Sequence, residues 1–110
     1  IQYDAKLDFT YTRGYDAVYN HPAETVALRE AVSINLPELQ VVNVPPRMGA
    51  EDFTYYLQKK PGTFFFVGGG NESINAIYPH HHPKFDVDEQ SMINTGTVFI
   101  EALKLHGVVQ

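Results

Sequence analysis

Three consecutive imidazoles stand between two prolines in the segment Tyr78 Pro79 His80 His81 His82 Pro83 Lys84 Phe85 Asp86. Histidine is the side chain most used to ligate metals and to move protons near neutral pH. Proline fixes its own φ at about −65° and biases the residue before it toward extended backbone, so this spacing predicts an ordered loop rather than a helix. Residue type alone leaves two readings open, a solvated polar loop or a loop that carries a metal ligand. The run is internal and flanked by Tyr, Pro, Phe and Asp, which sets it apart from a terminal tag. A catalytic zinc takes three protein ligands and keeps one position open, so one loop is not yet a site.

The other candidates have plainer readings beside the chemical one. Glu51 and Asp52 form an adjacent carboxylate pair, but they fall at an expected helix start, where capping and dipole stabilisation account for them. His21 and His106 stand alone and read as surface or capping residues. Gly68 Gly69 Gly70 Asn71 could let backbone approach a ligand or make a sharp turn. The turn is the better reading, because the Lys and Ser/Thr of a phosphate loop and the spacing of a dinucleotide fingerprint are both missing.

The elements that must position these residues follow from periodicity. Residues 4–13 alternate, with Ala5, Leu7, Phe9 and Tyr11 on one face, which predicts a half-buried strand. Asn20 His21 Pro22 supplies a helix start, and Val26, Ala27, Ala31 and Val32 recur at helical spacing, predicting a helix over 22–32 with Glu24 suited to its first turn. Residues 39–44 read as a short strand stopped by Pro45 Pro46. A second helix is expected over 51–60, closed by Pro61 Gly62. The unbroken run Phe64 Phe65 Phe66 Val67 predicts a strand covered on both faces, the habit of interior strands in layered α/β proteins. A last helix, over about 89–106, carries a stripe of Met92, Ile93, Gly96, Phe99, Ile100 and Leu103, with Asp88 placed to cap it and Gly107 to stop it. Glycine in mid-stripe predicts a close helix-to-sheet contact at Gly96.

The 110 residues are enough for one domain, and 44% hydrophobic with 13% aromatic residues is ample for a packed core. A net charge of −5 without a cluster of Lys or Arg argues against nucleic acid and anionic membrane partners. The absence of cysteine excludes disulfides and thiolate metal sites within these residues and fits a cytoplasmic protein. These residues show no signal-peptide pattern and no apolar run of membrane-spanning length, so neither is expected within them.

Taken in order, Thr12 Arg13 Gly14 Tyr15, Met48 Gly49 Ala50 Glu51 Asp52 Phe53, Phe64 Phe65 Phe66 Val67 Gly68 and His81 His82 Pro83 Lys84 Phe85 Asp86 resemble the carboxy-terminal part of the M20 family of metal-dependent amidohydrolases. The nearest branch holds hippurate hydrolases, N-acyl amino acid amidohydrolases and indoleacetyl amino acid hydrolases. The resemblance implies an α/β fold: part of a layered α/β catalytic domain with helices packed on a mixed sheet, preceded by the last strand of an inserted lid. Residues 1–19 would end the lid or dimerisation domain, and residues 20–110 would be the carboxy-terminal part of the catalytic domain. The family uses two divalent metal ions (Zn, Mn, Co or Ni) to activate a water against the amide bond of an N-acyl amino acid. The resemblance implies that the family's cysteine and histidine motif, glutamate pair and a further histidine would lie upstream of these residues. Aligning the family's His, any residue, Pro, any residue, Phe pattern gives the last ligand to His81, with His82 in the variable place and His80 where leucine is common.

The resemblance further implies that these residues alone are inactive, that the intact enzyme is a homodimer with a small-molecule substrate, and that an isolated piece self-associates through its unpaired apolar strand. The competing reading is a self-contained, non-enzymatic binding module whose histidine loop captures a metal.

Overall fold

The computed structural model describes residues 4–110; the first three residues of the expected lid segment lie outside it. Two helices form the organising pair. Helix α1 (Pro22–Asn35) starts with proline in its first turn and Glu24 near its positive end, after His21 in extended backbone at φ −71° and ψ 127°. It runs a turn past the expected 22–32, because nothing breaks it before Pro37, which pushes Leu36 out of helical geometry to ψ 62°.

The next helix, α2 (Thr54–Leu57), is only four residues long, shorter than the expected 51–60. Bonds from Tyr55 N–H to Asp52 O and from Tyr56 N–H to Phe53 O are of the tighter i to i+3 kind, and Lys59 N–H bonds Tyr56 O. A run with three aromatic residues in four, stopped by Pro61, adds too few favourable residues to repay helix nucleation.

Helix α3 (Gln90–Leu105) matches its expected span. Asp88 Oδ1 accepts from the Gln90 N–H at 2.9 Å, capping the first turn. At the other end Gly107 lies at φ +66°, the Gly107 N–H bonds Lys104 O at 2.9 Å, and the Val108 N–H bonds Leu103 O at 3.0 Å. That pair of bonds is the Schellman closure, and glycine adopts its left-handed residue without a Cβ penalty.

Helices α1 and α3 pack on each other through Leu28, Val32 and Val98, with Leu36, Leu39, Val41, Phe65 and Ala102 around them. Burying each such branched side chain stabilises the pair by about 1.5–3 kcal/mol. Between the helices Glu101, buried, accepts from Asn35 Nδ2 at 2.6 Å and from Lys104 Nζ at 2.9 Å. Its carboxyl is held below the usual carboxylate range, first by the Lys104 bond and then by Asn35.

The expected strands appear as segments without regular secondary structure, and among the described residues no neighbour pairs with them. Among the described residues the sole bridge joins Asn71 and Ala76, around a 3-10 turn at Glu72–Ile74 with Asn75 at φ 61°. A strand is defined by its ladder, and none of these 107 described positions supplies a ladder partner. The mixed sheet of the sequence reading is therefore not formed here, although the alternation survives. Leu39 and Val41 turn inward and Val42 outward; Phe65 packs on the helices and Phe66 faces solvent. The 4–13 face expected to be half-buried is exposed, Phe9 at 71% and Tyr11 at 75%.

The α3 stripe is corrected in the same way. Met92, Ile93, Phe99 and Ile100 are exposed, the helix buries Val98 and Glu101 instead, and nothing approaches the place of a Cβ on Gly96. The chain is accordingly elongated, 68 × 39 × 20 Å with a radius of gyration of 19.3 Å, against about 13 Å for a compact chain of this length.

Side chains take over some of the missing ladder. Asn20 Nδ2 donates to Phe64 O and the Phe64 N–H donates to Asn20 Oδ1, both at 2.7 Å. Two residues earlier the His21 N–H donates to Gly62 O at 3.0 Å and the Gly62 N–H to His21 Nδ1 at 3.2 Å. His21 is thus a structural residue that docks the 61–64 segment onto the start of α1. Thr54 Oγ1 donates to Ala17 O at 3.1 Å, anchoring the approach to α1 against α2.

Candidate functional site

The histidine loop is two successive turns. The His82 N–H bonds Pro79 O at 3.1 Å and the Phe85 N–H bonds His82 O at 2.9 Å. His81 is the third residue of the first turn and has φ 68°, while His80 keeps negative φ. That is the pattern of a type II turn, whose third position favours glycine or asparagine. Histidine, like asparagine and aspartate, enters this region more readily than most side chains, yet it remains uncommon there.

The three imidazoles are used differently. His82 is half-buried, stacks on Tyr78 with centroids 4.4 Å apart and planes 11° apart, and its Nδ1 accepts the Lys84 N–H at 3.1 Å. His80 meets Phe85 edge-on at 4.9 Å. His81 is exposed, and among the described residues it makes neither a side-chain hydrogen bond nor a ring contact. Neither ring nitrogen is engaged among the described residues, which leaves the imidazole available as a ligand for a divalent metal.

The remaining candidates do not join it. No group of three or more His, Cys, Asp or Glu that could hold a metal exists among the described residues. Glu51 Oε1 accepts the Phe53 N–H at 3.0 Å and so caps the turn into α2, as its position suggests. His106 ends α3 as its C-cap. The loop thus fits one ligand to a metal and not a whole centre.

The glycine run is a turn with a packing reason. Gly69 O accepts the Asp88 N–H at 2.9 Å, and a Cβ on Gly69 would lie 3.3 Å from Val87 Cγ1 and 3.4 Å from Ser91 Oγ. Asn71 Nδ2 also donates to Asp88 Oδ2 at 2.6 Å. Asp88 is held below the usual carboxylate range by that bond first and by the Gln90 N–H second. Composition singled out Asp88 as a cap; its second role, tying the glycine turn to α3, had no signal in spacing.

Two apolar hollows flank Phe65. One, about 390 Å³, is walled by α1 and α3 residues including Ala27, Phe99 and Ala102; the other, about 470 Å³, by Phe53, Phe64, Phe66 and Phe99. Neither contains a histidine of the loop.

A family model described as Peptidase family M20/M25/M40 matches residues 4–105, and the chain belongs to that family. It is 46% identical over 98 residues to the "Putative amidohydrolase YhaA" of Bacillus subtilis (strain 168), covering 89% of this chain and 25% of that protein. Thermostable carboxypeptidase 1 of Saccharolobus solfataricus is 45% identical over 75 residues, 68% of this chain and 18% of the relative. The IAA-amino acid hydrolase ILR1-like 6 of Arabidopsis thaliana is 35% identical over 81 residues, 74% of this chain and 16% of the relative. The chain spans a quarter or less of the length of these relatives. No solved structure matches it. Among the described residues no helix is long and apolar enough to cross a membrane.

Proposed function

We propose that these residues are the carboxy-terminal part of a metal-dependent amidohydrolase that cleaves the amide bond of N-acyl amino acids and hippurate-like conjugates, with His81 as the metal ligand they supply. The observation that carries this reading is the unpartnered His81 imidazole on a left-handed turn residue, inside a His, any residue, Pro, any residue, Phe pattern. The relatives' names describe hydrolases of related bonds, an IAA-amino acid hydrolase and a carboxypeptidase.

A bound pair of divalent ions lowers the pKa of water and polarises the carbonyl it attacks. The chain's own share is orientation. The two proline turns set the backbone at His81, and the neighbouring histidines are engaged by Tyr78 and Phe85 rather than by His81. Asp88 and Gly69 tie the strand-like 63–67 segment to the start of α3, setting the frame from which the loop departs.

In the same reading, residues through 19 close a lid or dimerisation domain, the intact enzyme is a cytoplasmic homodimer, and the exposed apolar segments of this part are covered by the rest of the catalytic domain. Replacing His81 by alanine in the longest natural form and assaying hippurate hydrolysis with zinc or manganese tests it. Turnover equal to that of the parent protein rules out the ligand role.

A further inference from the structure

Position 82 is fastened at four points. Its N–H closes the turn that carries His81, its carbonyl accepts the Phe85 N–H, its ring lies flat on Tyr78, and its Nδ1 accepts the Lys84 N–H at 3.1 Å. Lys84 Nζ lies 5.7 Å from the centroid of the same Tyr78 ring, adding a contact to the cluster. Acceptance at Nδ1 assigns the ring proton to Nε2. A side-chain acceptor for the backbone N–H two residues on is also the bond that Asn and Asp make in an Asx turn, here made by a ring nitrogen.

We propose that His82 is a positioning residue: through its Nδ1 bond to Lys84 and its stack on Tyr78 it holds the turn in which His81 presents its imidazole, without itself ligating the metal. The proposal rests on the reading of His81 as a ligand. Holding matters here because left-handed backbone at a non-glycine residue is unfavourable, so the turn relaxes unless its neighbours over-determine it. Of the two neighbouring imidazoles only His82 combines a ring stack with a hydrogen bond; His80 has a single ring-edge contact.

The test uses the longest natural form, stripped of metal, with His81→Ala, His82→Ala and His82→Asn compared by zinc titration against a chromophoric chelator. Asparagine keeps an acceptor for the Lys84 N–H and removes the second imidazole. Expected are loss of high-affinity zinc in His81→Ala, about 10-fold weaker binding in His82→Ala, and recovery toward the parent value in His82→Asn. In hippurate hydrolysis His82→Ala should lower kcat more than it changes KM. Nitrogen-15 spectra of the metal-free parent should show His82 protonated at Nε2 and accepting at Nδ1.

Unchanged zinc affinity in His82→Ala, with His81→Ala defective, overturns the positioning role and leaves the ligand reading standing. Unchanged affinity in His81→Ala overturns both. His82→Asn as defective as His82→Ala, at an unaltered melting temperature, overturns the part given to the Nδ1 bond, since asparagine restores that acceptor and not the stack on Tyr78.

Discussion

Glu101 and His81 are the two ends of one contrast. Glu101 lies between α1 and α3 at 4% exposure, and Asn35 and Lys104 satisfy both of its oxygens. His81 stands in solvent on a left-handed residue, without a side-chain partner among the described residues. A buried charge without partners is costly, so the helix pair keeps its carboxylate by giving each oxygen a hydrogen bond. The loop does the reverse, accepting an awkward backbone while leaving its imidazole unanswered. Polar groups that serve the fold are paired by it, and the imidazole left unpaired is the one assigned to the metal in the function proposed above.

Substitutions can break this contrast. The largest effect is expected for His81→Ala in the longest natural form, a fall in hippurate turnover beyond about 100-fold, the upper end of what losing a mere outer partner costs. Leu28→Ala should remove about 2–3 kcal/mol of stability in denaturant unfolding, since it empties the α1–α3 contact, while leaving the metal affinity of folded protein intact. Gly107→Ala should cost about 1 kcal/mol by forcing a Cβ into left-handed backbone at the end of α3.

His81→Gly sharpens the contrast from the other side. It should raise the melting temperature slightly, relieving up to about 1 kcal/mol of backbone strain, while abolishing activity. If it destabilises instead, the turn is not strained at His81.

The smallest effect concerns acid. Glu101 and Asp88 both have folded pKa values below their ordinary 4.5 and 3.8, so their contribution is complete above those values and disappears as pH falls below them through the lowered folded values. Glu101→Gln should flatten the stability profile on that side of pH 4.5, measured by thermal melting from pH 6 down to 3.

What could be read from sequence was whatever local chemistry decides. Pro22 starts α1, Asp88 and Gly107 bound α3, and the prolines around three histidines make a loop, because each rule acts within a few residues; the expected end of α1 falls three residues short of Asn35, because it leaves Pro37 unweighed. The family also was legible, since four motifs in order identify a neighbourhood that composition does not. Burial was not. The alternation of 4–13 and the apolar run 64–67 are strand signals, but a strand's burial depends on neighbours far away in sequence, and no such neighbour is among the described residues. The α3 stripe misled for a related reason: the helix is apolar on more than one face, and packing on α1 selected Val98 and Ala102 rather than Ile93 and Ile100. Residue type also could not separate the histidines, because their difference lies in one positive φ and one ring stack.

Asn20 and His21 have a consequence for how the phenylalanine run can grow. In extended backbone, alternate residues direct their N–H and C=O toward opposite sides. Gly62 and Phe64 already have both their N–H and C=O engaged, Phe64 by the Asn20 side chain and Gly62 by the His21 ring nitrogen and backbone N–H. Were the segment extended, the amides of Thr63, Phe65 and Val67 would face the side opposite to these. A β-ladder extending across this segment is thereby steered to that second margin, and the choice of side is made by one asparagine and one histidine before any further strand arrives.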